Sequence, residues 1–361
     1  MRTLAITPRF PLHVGYACNE RCSFCYYLPE IESGRARNFT TRQLFRRIDF
    51  AAWYGKRAVD ITGGEPTIRP DLPDLIARCR ARGIEAVTVI TNGLRTASPE
   101  YARTLKEAGL GEGLFSLHGA GAETHDRLTK RPGSHGAVLR SIRVFSELGL
   151  AARINMVVTP ENLQEVEGVL ALGHELRVAA VNLLVFNPAE SAAELSPDDP
   201  VRVVDYPALG EALSRALDLW KARLPLVNVR FLPFCFAPRH LDTIRTQWQK
   251  AHEAHEWDPV LNVLFQKGAW AAAGAILAGL LVGWDAPRYR AADVPTLLAR
   301  SLSAFRMTLQ YKKGPPCRSC AARRICTGLP RDYTRRHGFP AIAPLRAPEP
   351  YLDPLHFQGA P

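Results

Sequence analysis

The chain has 361 residues, 47% of them hydrophobic and 22% charged, which excludes a minimal domain and suits one large α/β domain with an appendage. A formal charge of +11 and a pI near 9.5 come without any block of five like charges. The basic balance therefore describes a solvated surface before it describes a nucleic-acid partner.

Strand-then-helix alternation runs through the first half. Residues 11–17 (PLHVGYA) read as a strand and 40–55 as a helix. Strand 58–64 (AVDITGG) is followed by helix 70–83, and strand 86–93 (AVTVITNG) by helix 98–109, with Ser98 as cap and Pro99 at the first helical position. Strand 113–119 (GLFSLHG) precedes helix 134–149, strand 152–159 precedes helix 162–177, and 179–188 (AAVNLLVFNP) closes the series. Six apolar, β-branched strands with helices between them imply a parallel sheet with right-handed crossovers. Six units rather than eight imply an α/β partial (β/α)6 TIM-like barrel, with reactive groups at the C-terminal ends of the strands. CNERC, TGGEP, TNG, SLHG and FNP all fall at such ends.

After Pro188 the texture changes, and the expected division is a core over 1–190 and a C-terminal region with a helical insert over 191–361. A proline- and acid-rich loop (196–210) leads to a helix over 209–224, a strand 227–232 and a turn at Cys235; 240–312 is mainly helical. Residues 268–284 (GAWAAAGAILAGLLVGW) carry no charge. This stretch is slightly short for a bilayer span and reads as a buried or interfacial helix, so no membrane partner is expected. The N-terminus MRTLAITPRF lacks a secretory apolar stretch.

The eight cysteines carry the chemistry. Three lie within residues 18–25 and three within 317–326, a clustering that suits metal ligation rather than disulfides and places the chain in a reducing cytoplasm. Cys18, Cys22 and Cys25 form C-x3-C-x2-C after the first strand. A disulfide would orphan one of them, and zinc normally takes a fourth local ligand. Three thiolates on a four-iron cluster leave one iron open. Cys317, Cys320 and Cys326 form C-x2-C-x5-C before Gly328, and Cys235 completes four ligands, a count that fits an iron–sulfur cluster or a structural zinc. Cys79, alone in its helix, reads as a buried small hydrophobe.

The order of these features resembles the radical S-adenosylmethionine (radical SAM) superfamily: a C-x3-C-x2-C loop after the first strand, aromatic Phe24 before its last cysteine, and TGGEP after the second strand. The resemblance implies a [4Fe–4S] cluster whose open iron chelates S-adenosylmethionine, reductive cleavage to a 5′-deoxyadenosyl radical, and hydrogen abstraction from a substrate. It places the cofactor against Gly63, Gly64, Glu65 and Pro66, whose backbone carbonyls would receive its ammonium. Ser116 and Asn155 match positions where the family sets polar side chains on the ribose or carboxylate. Each could instead be satisfied by neighbours, Asn92 could only cap a turn, and Tyr26, Tyr27 and His118 sit near the mouth without a singled-out role.

The C-terminal cysteines resemble the auxiliary-cluster region of SPASM and twitch enzymes. With no cysteine beyond Cys326, one auxiliary [4Fe–4S] cluster is implied, serving as an electron relay or a brace. The implied partners are a small-molecule or peptide substrate and an electron donor such as flavodoxin or ferredoxin. Only 17 residues precede Cys18, so an autonomous leader-binding domain ahead of it is not expected. A tRNA substrate ranks below these, for no basic-aromatic patch accompanies the charge. The alternative from another class, a non-catalytic iron–sulfur or zinc protein, has no need of the GGEP loop.

Overall fold

A computed structural model describes residues 2–34, 36–186, 205–282, 286–340 and 342–358. Its centre is one all-parallel sheet ordered β1 (Arg9–His13), β2 (Ala58–Thr62), β3 (Ala86–Thr91), β4 (Glu112–Ser116), β5 (Ala151–Val158), β6 (Ala180–Val185), β7 (Val227–Arg230) and β8 (Ile244–Arg245). The first six fall where strands were expected from the sequence, except that the first, expected over 11–17, lies at Arg9–His13 and gives way to loop from Val14. The last two come from beyond residue 190, and β7 pairs directly with β6, Asn182 opposite Asn228. Residues 187–188 of the expected strand and 196–204 of the expected loop lie outside the described residues.

The helices form where their caps stand. Thr40 and Gln43 make a reciprocal capping box at the start of α1 (Thr41–Trp53). Asp71 stands before α2 (Leu72–Ala81), and Ser98 accepts from the Tyr101 amide at α3 (Pro99–Glu107). They are followed by α4 (Ala122–Thr129), α5 (Ser134–Glu147), α6 (Val166–Glu175) and α7 (Tyr206–Trp220). Alternate strand residues such as Phe10, Leu12, Val59, Ile61, Phe115, Ile154 and Leu183 join Leu44, Ile48, Leu75 and Phe145 of the helices in one continuous core.

The intervening residues face the lumen, and many are polar. Thr88 accepts from Arg9 (3.1 Å) and donates to Glu112 (2.9 Å), which accepts from Arg153 (2.5 Å). Arg9 also pairs with Asp60. The chain after β8 closes this end: Trp257 Nε1 donates to Asp60 (2.8 Å), Arg9 Nε donates to the Ala254 carbonyl (2.8 Å), and Lys56 pairs with Asp258 (2.6 Å). Charges buried this deeply are tolerated because each is paired and hydrogen-bonded. With that end plugged, ligands reach the lumen from the other end, where the strands stop.

Beyond the sheet come α8 (Gln247–Lys250), α9 (Pro259–Lys267), α10 (Ala269–Val282), α11 (Val294–Gln310) and α12 (Arg331–His337). Cys79 is buried in α2.

Candidate cluster and cofactor site

At the open end, Cys18, Cys22 and Cys25 line one cavity of about 210 Å³ with Phe24, Gly63, Gly64, Glu65, Asn92, Ser116, His118 and Asn155. The structure thus brings together every core position singled out from the sequence except Pro66, which starts a buried 3₁₀ turn beside it.

The cysteine loop is seated by backbone. Asn38 Oδ1 accepts from the amides of Tyr16 and Ala17, both at 3.0 Å. The amides of Gly64 and Glu65 donate to the carbonyls of Gly15 and Ala17, both at 2.8 Å. Gly63 has φ +142, and a Cβ on Gly64 would stand 2.1 Å from the Ala17 carbonyl oxygen. The paired glycines therefore let the end of β2 lie directly on the strand that carries the cluster loop. Gly64→Ala is expected to push that loop off its seat, so reconstituted protein holds about half the wild-type iron and melts several degrees lower. Unchanged iron content would refute this seating role.

Glu65 does something the motif alone does not announce. Its carboxylate is buried and accepts from the Thr67 amide (3.0 Å), Thr67 Oγ1 (2.7 Å), Thr91 Oγ1 (2.7 Å) and the Asn92 amide (2.7 Å). Burial pushes its pKa up while those four donors pull it down. Its side chain is a clamp between β2 and β3, and its backbone amide holds the loop. Asn92 accepts from the Leu94 amide (3.2 Å), as a turn cap does, and also donates to Asn19 of the cluster loop (2.8 Å).

Burial keeps the thiols of this loop protonated unless a positive centre is present. Burial lifts Cys18 to about 12, with Glu65, Glu20 and Cys25 adding to the rise. Cys22 is raised well above the ordinary thiol range by burial, then by Glu20 and the other two cysteines. Only a multiply positive centre makes three thiolates stable in this spot. Among the described residues no three His, Cys, Asp or Glu side chains close around a single point. The three thiols line the cavity wall together.

Phe24 packs edge-on against His118 (4.6 Å between centroids) and beside Leu128 and Phe186, so it forms wall. Ser116 and Asn155 are register partners on β4 and β5, both half-buried on the cavity. His118 has a defined tautomer. Its Nδ1 accepts from the Val157 amide (3.2 Å), so the neutral ring carries its proton on Nε2. Its own amide donates to His125 Nδ1 (3.1 Å). Burial holds His118 well below the usual histidine range and His125 and His13 at about 4.

These histidines are neutral in the fold and become protonated below about 6.5 once unfolded, so their stabilisation is full above that pH and is lost as pH falls toward 4. His13 and His125 account for about 3 kcal/mol each. Glu20, raised to about 7 by burial and by Glu65, works the opposite way: its contribution is present below its ordinary 4.5 and is lost as pH rises through 7. His125→Gln is expected to flatten the drop in melting temperature between pH 7 and 4.5. An identical slope in variant and wild type would rule this assignment out.

Glu20 was not apparent from the sequence. It stands 3.6 Å from Cys22 Sγ and lines the cavity, but a glutamate inside C-x3-C carries no periodic or motif signal. Asn19 and Asn38 were missed for the same reason.

The second cysteine set converges as well. Cys235 sits in the 3₁₀ turn Phe234–Phe236 after β7, and Cys317 lies in the turn Pro315–Ser319. The short antiparallel pair Tyr311–Lys312 and Leu329–Pro330 brackets the cysteine loop. All four cysteines line one apolar pocket with Phe234, Leu329 and Phe339. Burial and mutual repulsion push Cys235 up, and burial raises Cys317 and Cys326.

The family model described as Radical SAM superfamily matches residues 12–173. Among curated proteins, the chain is similar to an AdoMet-dependent heme synthase of Methanosarcina barkeri, 31% identical over 192 residues that cover 52% of this chain and 54% of that protein. It is also similar to a probable GTP 3′,8-cyclase of Metallosphaera sedula, 30% identical over 176 residues, 48% and 54% of the two chains. The chain spans about half the length of the curated relatives it matches. In fold it is similar, over 66% of this chain and 54% of the other, to Streptococcus suis SuiB solved with bound S-adenosylmethionine (TM-score 0.52, 19% identity).

Proposed function

We propose that this chain, whose residues 12–173 match the family model described as Radical SAM superfamily, reductively cleaves S-adenosylmethionine and removes hydrogen from a substrate C–H bond. The observation that carries the reading is the shared cavity, where three thiols, the Gly63–Gly64 backbone and the polar Ser116 and Asn155 meet. The radical SAM domain uses a [4Fe–4S] cluster and S-adenosylmethionine. Bound here, they supply a 5′-deoxyadenosyl radical.

The chain's own residues prepare for that chemistry. Cys18, Cys22 and Cys25 take three irons and leave the fourth to the cofactor. Gly63 and Gly64 give it close backbone approach, with the carbonyls available to its ammonium. Ser116 and Asn155 offer hydrogen bonds to its ribose or carboxylate, and His118 offers a neutral N–H donor. Phe24, Leu128 and Phe186 exclude water from the side of the cavity behind the loop, which protects a carbon radical.

Cys235, Cys317, Cys320 and Cys326 complete four thiolates, which leaves an auxiliary cluster no vacant iron and suits it to electron relay or to a structural role. The C-terminal region from 191 supplies these ligands. The substrate class is a small molecule or a peptide, the latter presented by a separate leader-binding partner, and the reductant is a flavodoxin or ferredoxin in a reducing cytoplasm.

Reconstituted protein given dithionite and S-adenosylmethionine without oxygen is expected to release 5′-deoxyadenosine. None released from cluster-loaded protein would leave a non-catalytic metal protein as the better reading. Cys317→Ser with Cys320→Ser is expected to keep S-adenosylmethionine cleavage yet lose substrate turnover; full turnover would end the relay assignment.

A further inference from the structure

Helix α10 breaks the rule that an outer helix shows water a polar face. Its fourteen residues, AWAAAGAILAGLLV, contain no polar side chain. One stripe is packed: Ala275 and Ile276 meet Val260, Ala299 and Leu302, and Ala272 and Gly279 are buried. A Cβ on Gly279 would lie 1.8 Å from the Ser301 carbonyl oxygen, so α10 rests backbone-close on α11. The opposite face is open. Trp270 is 92% and Leu281 85% exposed, with Leu277 and Leu280 exposed between them and Val294 and Leu297 exposed on α11.

That face is contiguous along the helix and anchored to the body by the buried stripe. An apolar surface of this kind marks an interaction site. Charge chooses among its occupants. Over residues 259–313, Lys267, Arg288, Arg290, Arg300, Arg306, Lys312 and Lys313 stand against only Asp285 and Asp293. A second copy of a chain with charge +11 brings the same sign to the contact and is repelled. An anionic surface is attracted.

We propose that α10 docks this protein on the surface of an anionic lipid bilayer, with Trp270, Leu277, Leu280 and Leu281 inserted at the headgroup level and the exposed bases of the flanking segments, Lys267, Arg288 and Arg290, on lipid phosphates. Fourteen residues span only about 21 Å, short of the roughly 30 Å of hydrocarbon, so the helix lies in the interface. Among the described residues no helix is long and apolar enough to cross a membrane. Aromatic side chains such as Trp270 favour that headgroup layer. The docked face is separate from the cavity that holds Cys18, Cys22 and Cys25, so this inference stands apart from the proposed reaction.

The test is flotation of the full, cluster-loaded chain with vesicles of phosphatidylcholine and phosphatidylglycerol at 3:1, against phosphatidylcholine alone. The expected result is at least a tenfold preference for the anionic vesicles, and a loss of at least tenfold in Leu277→Glu with Leu281→Glu. Both positions are exposed, and unchanged iron content and melting temperature in that variant confirm that it folds. With vesicles of brominated lipid, fluorescence quenching is expected in the wild type and reduced in Trp270→Phe. Absence of flotation overturns the proposal, as does equal flotation of variant and wild type. A dimer by light scattering that Leu277→Glu with Leu281→Glu splits, without vesicle binding by either, assigns the face to a second copy instead.

Discussion

Cys22→Ala protein, reconstituted without oxygen, is expected to hold about half the wild-type iron, roughly four atoms instead of eight, and to release no 5′-deoxyadenosine from S-adenosylmethionine. Ionisation of the Cys22 thiol is opposed by its surroundings: it is half-buried and faces Glu20, Cys25 and Cys18. Removing it leaves two thiolates, too few to hold a cubane against the open side of the cavity. Cys79→Ala, in the buried face of α2, is the control and is expected to keep both clusters and activity. Retention of full iron by Cys22→Ala would mean that other ligands hold the first cluster.

Glu65→Ala is expected to be the most destabilising single change outside the cysteines. Four donors, the Thr67 amide, Thr67 Oγ1, Thr91 Oγ1 and the Asn92 amide, end on its carboxylate. In alanine all four are left without it in a buried place, a cost of about 3–5 kcal/mol, since each buried unsatisfied group costs about 1–3 kcal/mol and the pocket relaxes in part. Cluster loading should fall with stability, because the same residue's amide holds Ala17 at the start of the cluster loop. Glu65→Gln keeps the volume and one acceptor oxygen, so denaturant melts should place it between wild type and alanine. A Glu65→Ala protein within 1 kcal/mol of wild type would show that the clamp is replaceable by water.

Much of this architecture was legible in the sequence because it rests on local signals. The six strands announce themselves by apolar runs between capped helices, and the C-x3-C-x2-C and Gly-Gly-Glu-Pro segments fall at strand ends by counting alone. What escaped depends on contacts between distant segments. The strand 227–232 was visible as a strand, yet nothing local says that it pairs with β6 and extends the same sheet. Ile244–Arg245 is too short for any periodicity, and exists only because β7 offers it an edge. The fate of the Glu65 side chain follows from β3 lying beside β2, which places Thr91 and Asn92 within reach. Phe24, expected at the cofactor, lines the cavity with its ring packed on His118 and beside Phe186. The uncharged stretch 268–284 was read as buried or interfacial; the described part buries one stripe and exposes the other.

The electron paramagnetic resonance spectrum of the dithionite-reduced Cys317→Ser, Cys320→Ser protein, which isolates the N-terminal cluster, recorded with and without S-adenosylmethionine, tests the central claim most directly. Coordination of the sulfonium cofactor at the iron left free by Cys18, Cys22 and Cys25 predicts a four-iron signal whose g values move when the cofactor is added. A four-iron signal that is indifferent to the cofactor, or no such signal at all, would contradict it.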